Sequence, residues 1–301
     1  MRASVVAALL VVALTAGCGS SSTPNASPAR SGSLEALAEA RGHPVALTPG
    51  GDDFAPGRNR YTFLVIASDG RAVYRPRATV WVSRGLKQKP FAKTTARLER
   101  ITVPGTAQMP FGGDSIYVAH VHVPSPGTYW VLAQPQGGRI SALGNLVAAA
   151  HTYSPAVGAR APRSDTPTLA TTHGRLAPLT TAIRPDRALY QTSVAQALGA
   201  HEPFVLTFAT PKFCTSRTCG PVVDVVSSAR RAFAHTPVRF IHVEVYEHNN
   251  PARGFNRWMK QWHLTSEPWV FLVGRDGRVK AKFQGSVSSA ELRSAIRSTL
   301  L

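Results

Sequence analysis

The pattern of apolar residues changes at a polar stretch near the middle of the 301-residue chain. Residues 154–185 are rich in Pro, Thr, Ser, Arg and Gly and keep no periodicity. Before them, short apolar runs alternate with turn residues. After them, strand-like runs alternate with helix-spaced runs. A polar break between two such patterns predicts two domains. We place a linker at residues 153–187, between a domain at 43–152 and a domain at 188–301.

The first domain has the pattern of an all-β fold. Residues 78–82 alternate in polarity, and two further strands at 116–123 and 128–133 flank the breaker Pro124-Ser125-Pro126-Gly127. Short strands at this spacing predict a β-sandwich. The turn Pro126-Gly127-Thr128-Tyr129 also resembles that of immunoglobulin-like modules. We expect this domain to act as a binding or spacing module.

The second domain alternates strands with helices. Its apolar runs predict buried strands at 204–209, 238–245 and 269–273, the last turning through Asp276-Gly277 into a hairpin. Apolar residues at helical spacing predict helices at 192–198, 221–233, 255–262 and from the cap Ser288 or Ser289 to the end.

Two of the three cysteines, Cys214 and Cys219, lie between the first of these strands and the helix that follows it. Pro268 stands immediately before the third strand. With the hairpin at Asp276-Gly277 and the final helix, this order of features resembles the thioredoxin-like domains. The resemblance implies an α/β thioredoxin-like domain over residues 188–301, with Pro268 in cis beside the active cysteine.

The same resemblance implies a chemistry. Cys214 attacks a substrate disulfide and Cys219 resolves the product, while Pro268 orients the substrate main chain between Glu267 and Trp269. Protein thiols or disulfides are the implied partners, and no cofactor is expected. The spacing departs from the family, because four residues separate the cysteines where thioredoxins have two.

The residues around the cysteines suggest how the thiolate would be favoured. A helix N-terminus and the cations Lys212 and Arg217 stabilise a thiolate over a thiol. Asp224, in the predicted helix, is either a buried carboxylate that assists proton transfer or a solvated residue.

Two other functions remain open at this point. Cys214 and Cys219 can form a structural disulfide in a binding protein without catalysis. They can also carry copper, as in the Sco family of copper-delivery proteins, with His248 or His263 as a further ligand. His120 and His122 share a strand face in the first domain, where a metal pair competes with an ordinary polar surface. We predict no metal site.

The N-terminus predicts export and anchoring. Residues 1–17 combine Arg2 with a short apolar stretch that is too short to span a membrane. The stretch ends at Cys18 and resembles the lipobox of bacterial lipoproteins, which implies a lipidated Cys18 on the extracytoplasmic face of the cell membrane. The alternative is an ordinary secretory signal with an incidental cysteine. Residues 18–42 are polar at their start and predict a flexible tether.

The net charge of the chain bears on its expected partners. Its formal net charge is +18, which in the cytosol would suggest nucleic acid as a partner. Outside the cell, anionic lipid head groups or wall polymers are the expected counter-surfaces. We therefore predict no nucleic-acid partner.

Overall fold

The computed structural model describes residues 32–40, 42–106, 113–214 and 218–301. The predicted signal segment 1–17, the lipidation site Cys18 and the cation Arg217 lie outside the described residues. Within the described part of the chain, no helix has the length and apolar character that crossing a membrane requires.

A short helix, α1 (Leu34–Glu39), lies in the range predicted to be a tether. The Ser33 side chain accepts a hydrogen bond from the amide of Ala36 and so caps the helix. Leu34 is fully buried in a small cluster with Trp81 and Leu132. The end of the predicted tether is therefore packed against the body of the protein.

Seven strands follow and close into a barrel. They are β1 (His43–Pro49), β2 (Gly57–Ile66), β3 (Arg77–Ser83), β4 (Ala92–Arg100), β5 (Ser115–Val123), β6 (Gly127–Pro135) and β7 (Ile140–Ala148). Their order around the barrel is β1-β2-β5-β4-β3-β6-β7. The β1–β7 pair is parallel and the others are antiparallel. The core inside the barrel includes Tyr61, Phe63, Tyr117, Tyr129 and Val131.

The predicted β-sandwich is wrong, and β1 is the reason. The first half of this strand pairs with β7 and its second half pairs with β2. It therefore joins two edges that a sandwich would leave open, and no edge remains in the ring. Alternation of apolar and polar residues is the same along the strands of a sandwich and of a barrel, so the sequence pattern did not separate them.

The second region contains a four-stranded sheet and four helices. The strands are β8 (Phe204–Phe208), β9 (Arg239–Val243), β10 (Trp269–Val273) and β11 (Val279–Gln284), in the order β11-β10-β8-β9. The helices are α2 (Val194–Gly199), α3 (Cys219–Ala232), α4 (Arg257–Gln261) and α5 (Ser289–Thr299). Three short 3-10 helices lie at Arg187–Tyr190, Glu247–Asn249 and Pro251–Arg253.

Two apolar clusters hold this sheet in place. One contains Val205 and Val270 with residues of α3 and α5, among them Val222 and Ile296. The other contains Phe204, Phe208 and Phe271 with residues of α2 and α4, among them Met259 and Trp262. Successive residues of a strand point to opposite faces, so β8 and β10 contribute to both clusters.

The predicted fold class, an all-β sandwich followed by an α/β thioredoxin-like domain, is therefore wrong. The protein is mostly β, with a closed barrel, a second sheet and few helices. In the second sheet only β8 and β9 pair in parallel. Two of the predicted helices are short, because α2 has only six residues and α4 only five.

The segment predicted as a linker, residues 153–187, lies against the second sheet. The hydroxyl of Ser164 accepts a hydrogen bond from the indole of Trp262, at 3.0 Å. Leu169 and Leu179 are buried in the cluster formed with α3 and α5. Polar and proline-rich composition thus did not prevent this segment from packing.

Candidate functional site

The two cysteines of the second region meet at the N-terminus of α3. Residues 209–214 leave β8 at its carboxyl end, and α3 begins at Cys219. The Cys219 amide donates a hydrogen bond to the Cys214 sulfur, at 3.2 Å. The first amides of a helix have no acceptor within the helix. For the amide of Cys219, the Cys214 sulfur is that acceptor. Cys214 is partly exposed and Cys219 is fully buried.

The carboxylate of Glu267 lies beside the two cysteines and forms a group with them. One oxygen of Glu267 and the sulfurs of Cys214 and Cys219 all lie within 4.8 Å of one another. Glu267 reaches this place because it lies two residues before β10, which pairs with β8. The peptide bond from Glu267 to Pro268 is cis, so that part of the prediction is confirmed.

The electrostatics of the group keep protons on two of its members. Burial, and then the neighbouring Cys214, raise the pKa of Cys219 far above its usual range. Burial, and then the charge of Cys214, raise the pKa of Glu267 to about 7. Burial first, and then the charges of Glu267 and both cysteines, raise the pKa of Tyr246, which follows β9. The group therefore favours one negative charge over two or three.

Three residues predicted to assist make other contacts. The Trp269 ring is buried in the cluster on the other face of the sheet, where it stacks on Phe271 at 5.4 Å between centroids. The Lys212 ammonium lies over the ring of Phe213, at 5.3 Å. Asp224 is half-buried near Thr106. The carboxylate beside the thiols is thus not that of Asp224.

One buried acid was missed. The Glu244 carboxylate accepts hydrogen bonds from the Thr181 amide and hydroxyl, at 2.5 and 2.7 Å. The same hydroxyl accepts a hydrogen bond from the Lys212 amide, at 3.1 Å. These bonds fix the loop that carries Cys214. A charged residue inside the apolar run 238–245 was the available signal.

The group of Cys214, Cys219 and Glu267 is the only cluster of three or more His, Cys, Asp or Glu ligand atoms found among the described residues. Two thiolates and a carboxylate suit a thiophilic cation such as Zn²⁺. Structural zinc sites use four ligands, and the group supplies three. His248 and His263 are not part of it.

Two cavities border the second region, and neither is lined by Cys214 or Cys219. A cavity of about 510 Å³ lies beside the Cys214 loop and is lined by Phe213, Lys212, Thr181 and the exposed Ile183. A larger cleft of about 1220 Å³ lies between the barrel and the elements β11 and α5. His120 borders that cleft, where burial and then the charge of Arg58 lower its pKa.

Comparison with known proteins gives a similarity to a solved structure. No protein-family model matches the chain, and no curated protein matches it. Among solved structures, it is similar to a thiol:disulfide interchange protein of the thioredoxin family from Chlorobium tepidum. The similarity spans 49% of this chain and all of that one, with 14% identity and a TM-score of 0.32. It is too remote to carry an activity or a substrate to this chain.

Proposed function

We propose that this protein is a thiol-disulfide oxidoreductase with Cys214 as its nucleophile and Cys219 as its resolving thiol. The observation that supports this most is the hydrogen bond from the Cys219 amide to the Cys214 sulfur at the start of α3. A hydrogen bond to the charged form of an acid favours that form, and a helix N-terminus does the same for an anion. Thiolate is the reactive species.

The difference in burial supports the division of roles. Cys214 is partly exposed, so a substrate disulfide can reach it. Cys219 is fully buried, and burial raises its pKa, so it remains a thiol until the first step is complete. Its sulfur lies within 4.8 Å of the Cys214 sulfur. Movement of the two side chains toward each other would bring the sulfurs to the bonding distance of about 2.05 Å.

The proposed substrates are protein disulfides or thiols. The 510 Å³ cavity beside Phe213 would receive a side chain of the substrate. Trp269 plays no direct part in this proposal, because its ring lies on the other face of the sheet.

We further propose that Cys18 anchors the protein to the extracytoplasmic face of the cell membrane. The support is the sequence alone: Arg2, a short apolar stretch and small residues immediately before Cys18. Cys18→Ala should release the protein from the membrane fraction or leave its signal uncut. A variant that fractionates as the parent does would contradict the anchor without affecting the chemistry.

A matched pair of variants tests the exchange reaction. Cys219→Ser should trap mixed disulfides with partner proteins through Cys214, because the resolving thiol is gone. Cys214→Ser should trap none. Trapped species are counted on non-reducing gels and assigned by mass spectrometry. Equal, slow alkylation of both thiols, with no trapped species in either variant, would instead support a structural disulfide.

A further inference from the structure

Glu267 is partly buried and lies where the second step of exchange needs a base. Its carboxylate oxygen lies within 4.8 Å of the Cys219 sulfur and of the Cys214 sulfur. No other carboxylate of the described chain is part of this cluster. Cys219 is buried and keeps its proton, so it must lose that proton before it can attack.

We propose that the Glu267 carboxylate accepts the proton of the Cys219 thiol during resolution, and returns it when the reaction runs in reverse. This inference rests on the proposed function, since it assigns a role within the same exchange. It makes Glu267 a catalytic residue rather than a residue that only borders the substrate.

The reaction balances with a substrate disulfide as the oxidant. The Cys214 thiolate attacks one substrate sulfur, forms a mixed disulfide and releases the other sulfur as a thiolate. Glu267 then takes the Cys219 proton, and the Cys219 sulfur attacks the Cys214 sulfur. The Cys214–Cys219 disulfide forms and the second substrate thiolate leaves. Two electrons pass to the substrate, and an external dithiol must reduce the protein again.

The charge on Cys214 determines when Glu267 can accept a proton. Before the first step, the Cys214 charge contributes to the raised pKa of Glu267 and keeps the carboxyl protonated. In the mixed disulfide that charge is gone, so the pKa of Glu267 falls and the carboxylate forms. The other titratable group facing this site is Tyr246, whose raised pKa keeps it neutral. Glu267 thus becomes a base when Cys219 has to ionise.

One reagent separates the two steps. Dithiobisnitrobenzoate is a disulfide that releases one coloured thiolate on attack by Cys214 and a second on resolution by Cys219. We expect Glu267→Gln to slow the second phase about 100-fold. The first phase should keep its rate, because before that step the Glu267 carboxyl is protonated and as uncharged as the glutamine that replaces it. Glu267→Asp should restore part of the second phase, and Glu39→Gln, an exposed control on α1, should alter neither.

The pH dependence distinguishes a base from a structural side chain. Below its pKa the Glu267 carboxyl is protonated and accepts no proton. In the parent, the second phase should therefore rise with pH and level off at or below about pH 7. In Glu267→Gln it should keep rising without levelling, since hydroxide alone then removes the proton.

A second phase of parental rate and parental pH profile in Glu267→Gln would overturn the inference while leaving the proposed function intact. A parent that shows no second phase would contradict both. If Glu267→Gln does not fold, Glu267→Asp decides the question. A flat profile between about pH 5 and pH 8 in both the parent and this variant would overturn the inference.

Discussion

The barrel and the second region differ in how completely their buried polar groups are hydrogen-bonded. In the barrel, the hydroxyls of three buried tyrosines each donate to a backbone carbonyl: Tyr61 to Asn145, Tyr129 to Ser125 and Tyr117 to Val73, at 2.9, 2.7 and 3.2 Å. The described part of the barrel has no buried side-chain nitrogen or oxygen that lacks a partner within the protein. In the second region there are five: Thr207 Oγ1, Thr210 Oγ1, Glu244 Oε2, Trp269 Nε1 and Arg293 Nε.

The positions of these five atoms show what the difference means. Four of the five lie on or just after the adjacent strands that lead to the candidate site: Thr207 and Thr210 at β8, Trp269 at the start of β10 and Glu244 after β9. The fifth, Arg293, lies on α5. A buried polar group without a partner costs about 1–3 kcal/mol. Departures from good packing and bonding are expected at functional sites, so the unsatisfied groups of the second region agree with the site proposed there.

The largest expected effect concerns one of the ion pairs that join the two regions. Lys282 on β11 donates to the Asp53 carboxylate before β2, at 2.8 Å, and the two side chains are 16% and 2% exposed. Lys282→Met would leave the Asp53 charge buried and should lower the free energy of unfolding by about 3–5 kcal/mol. Urea denaturation measures the change.

The same strand supplies the control for this prediction. Lys280 pairs with Asp276 at 2.7 Å, but both side chains are substantially exposed. Lys280→Met should therefore cost less than about 1 kcal/mol. Equal losses in the two variants would show that the contact between barrel and second sheet is as weak as a surface pair.

The next effect concerns a glycine where the two regions touch. Gly285 has a φ of +70°, and a Cβ there would lie 2.5 Å from the carbonyl oxygen of Gly50. Gly70 has a φ of +80° with no atom within 4 Å of such a Cβ. Gly285→Ala should cost roughly 2–3 kcal/mol, because overpacking adds to the backbone strain, and Gly70→Ala about 1 kcal/mol. Matching losses in urea denaturation would mean that the two regions move apart readily.

The smallest effect tests the contrast in polar groups directly. Tyr61→Phe removes a satisfied hydroxyl from the barrel and should lower the free energy of unfolding by about 1 kcal/mol. Thr207→Val removes an unsatisfied hydroxyl of nearly the same shape from β8 and should leave stability unchanged or raise it by about 1 kcal/mol. Thermal and urea denaturation of both variants measure this. Destabilisation by Thr207→Val equal to that by Tyr61→Phe would remove the contrast.

Local structure was predictable where one segment determined it. The run of five apolar residues at 269–273 is β10, and the predicted cap Ser288 does accept a hydrogen bond from the Glu291 amide, at 3.0 Å. The predicted helix 221–233 corresponds to α3, although α3 starts two residues earlier, at Cys219. Periodicity and capping are properties of a few neighbouring residues, which explains these successes.

Long-range pairing was not predictable in the same way. The Arg60 guanidinium binds the Glu291 carboxylate, at 2.6 Å, across 231 positions of sequence. The pairing of β1 with both β2 and β7, which closes the barrel, is equally remote. Apolar periodicity shows which face of a strand is buried but not which strand lies beside it. The predicted fold class failed for that reason.

The candidate site was predictable in part. The sequence indicated Cys214 and Cys219 by their place between a strand and a helix, and Glu267 by its place before Pro268. It did not indicate that Glu267 would contact the thiols more closely than Asp224, because that depends on the pairing of β10 with β8.

The reduction potential of the Cys214–Cys219 pair tests the proposed chemistry most directly. It is measured by equilibrating the full chain in glutathione buffers of stated ratio and counting alkylated thiols by mass spectrometry. Because the Cys219 amide stabilises the Cys214 thiolate, the reduced form is favoured. We predict a value near or above about −200 mV, in the range of exchange-active proteins. A value below about −300 mV, typical of structural disulfides, would contradict it.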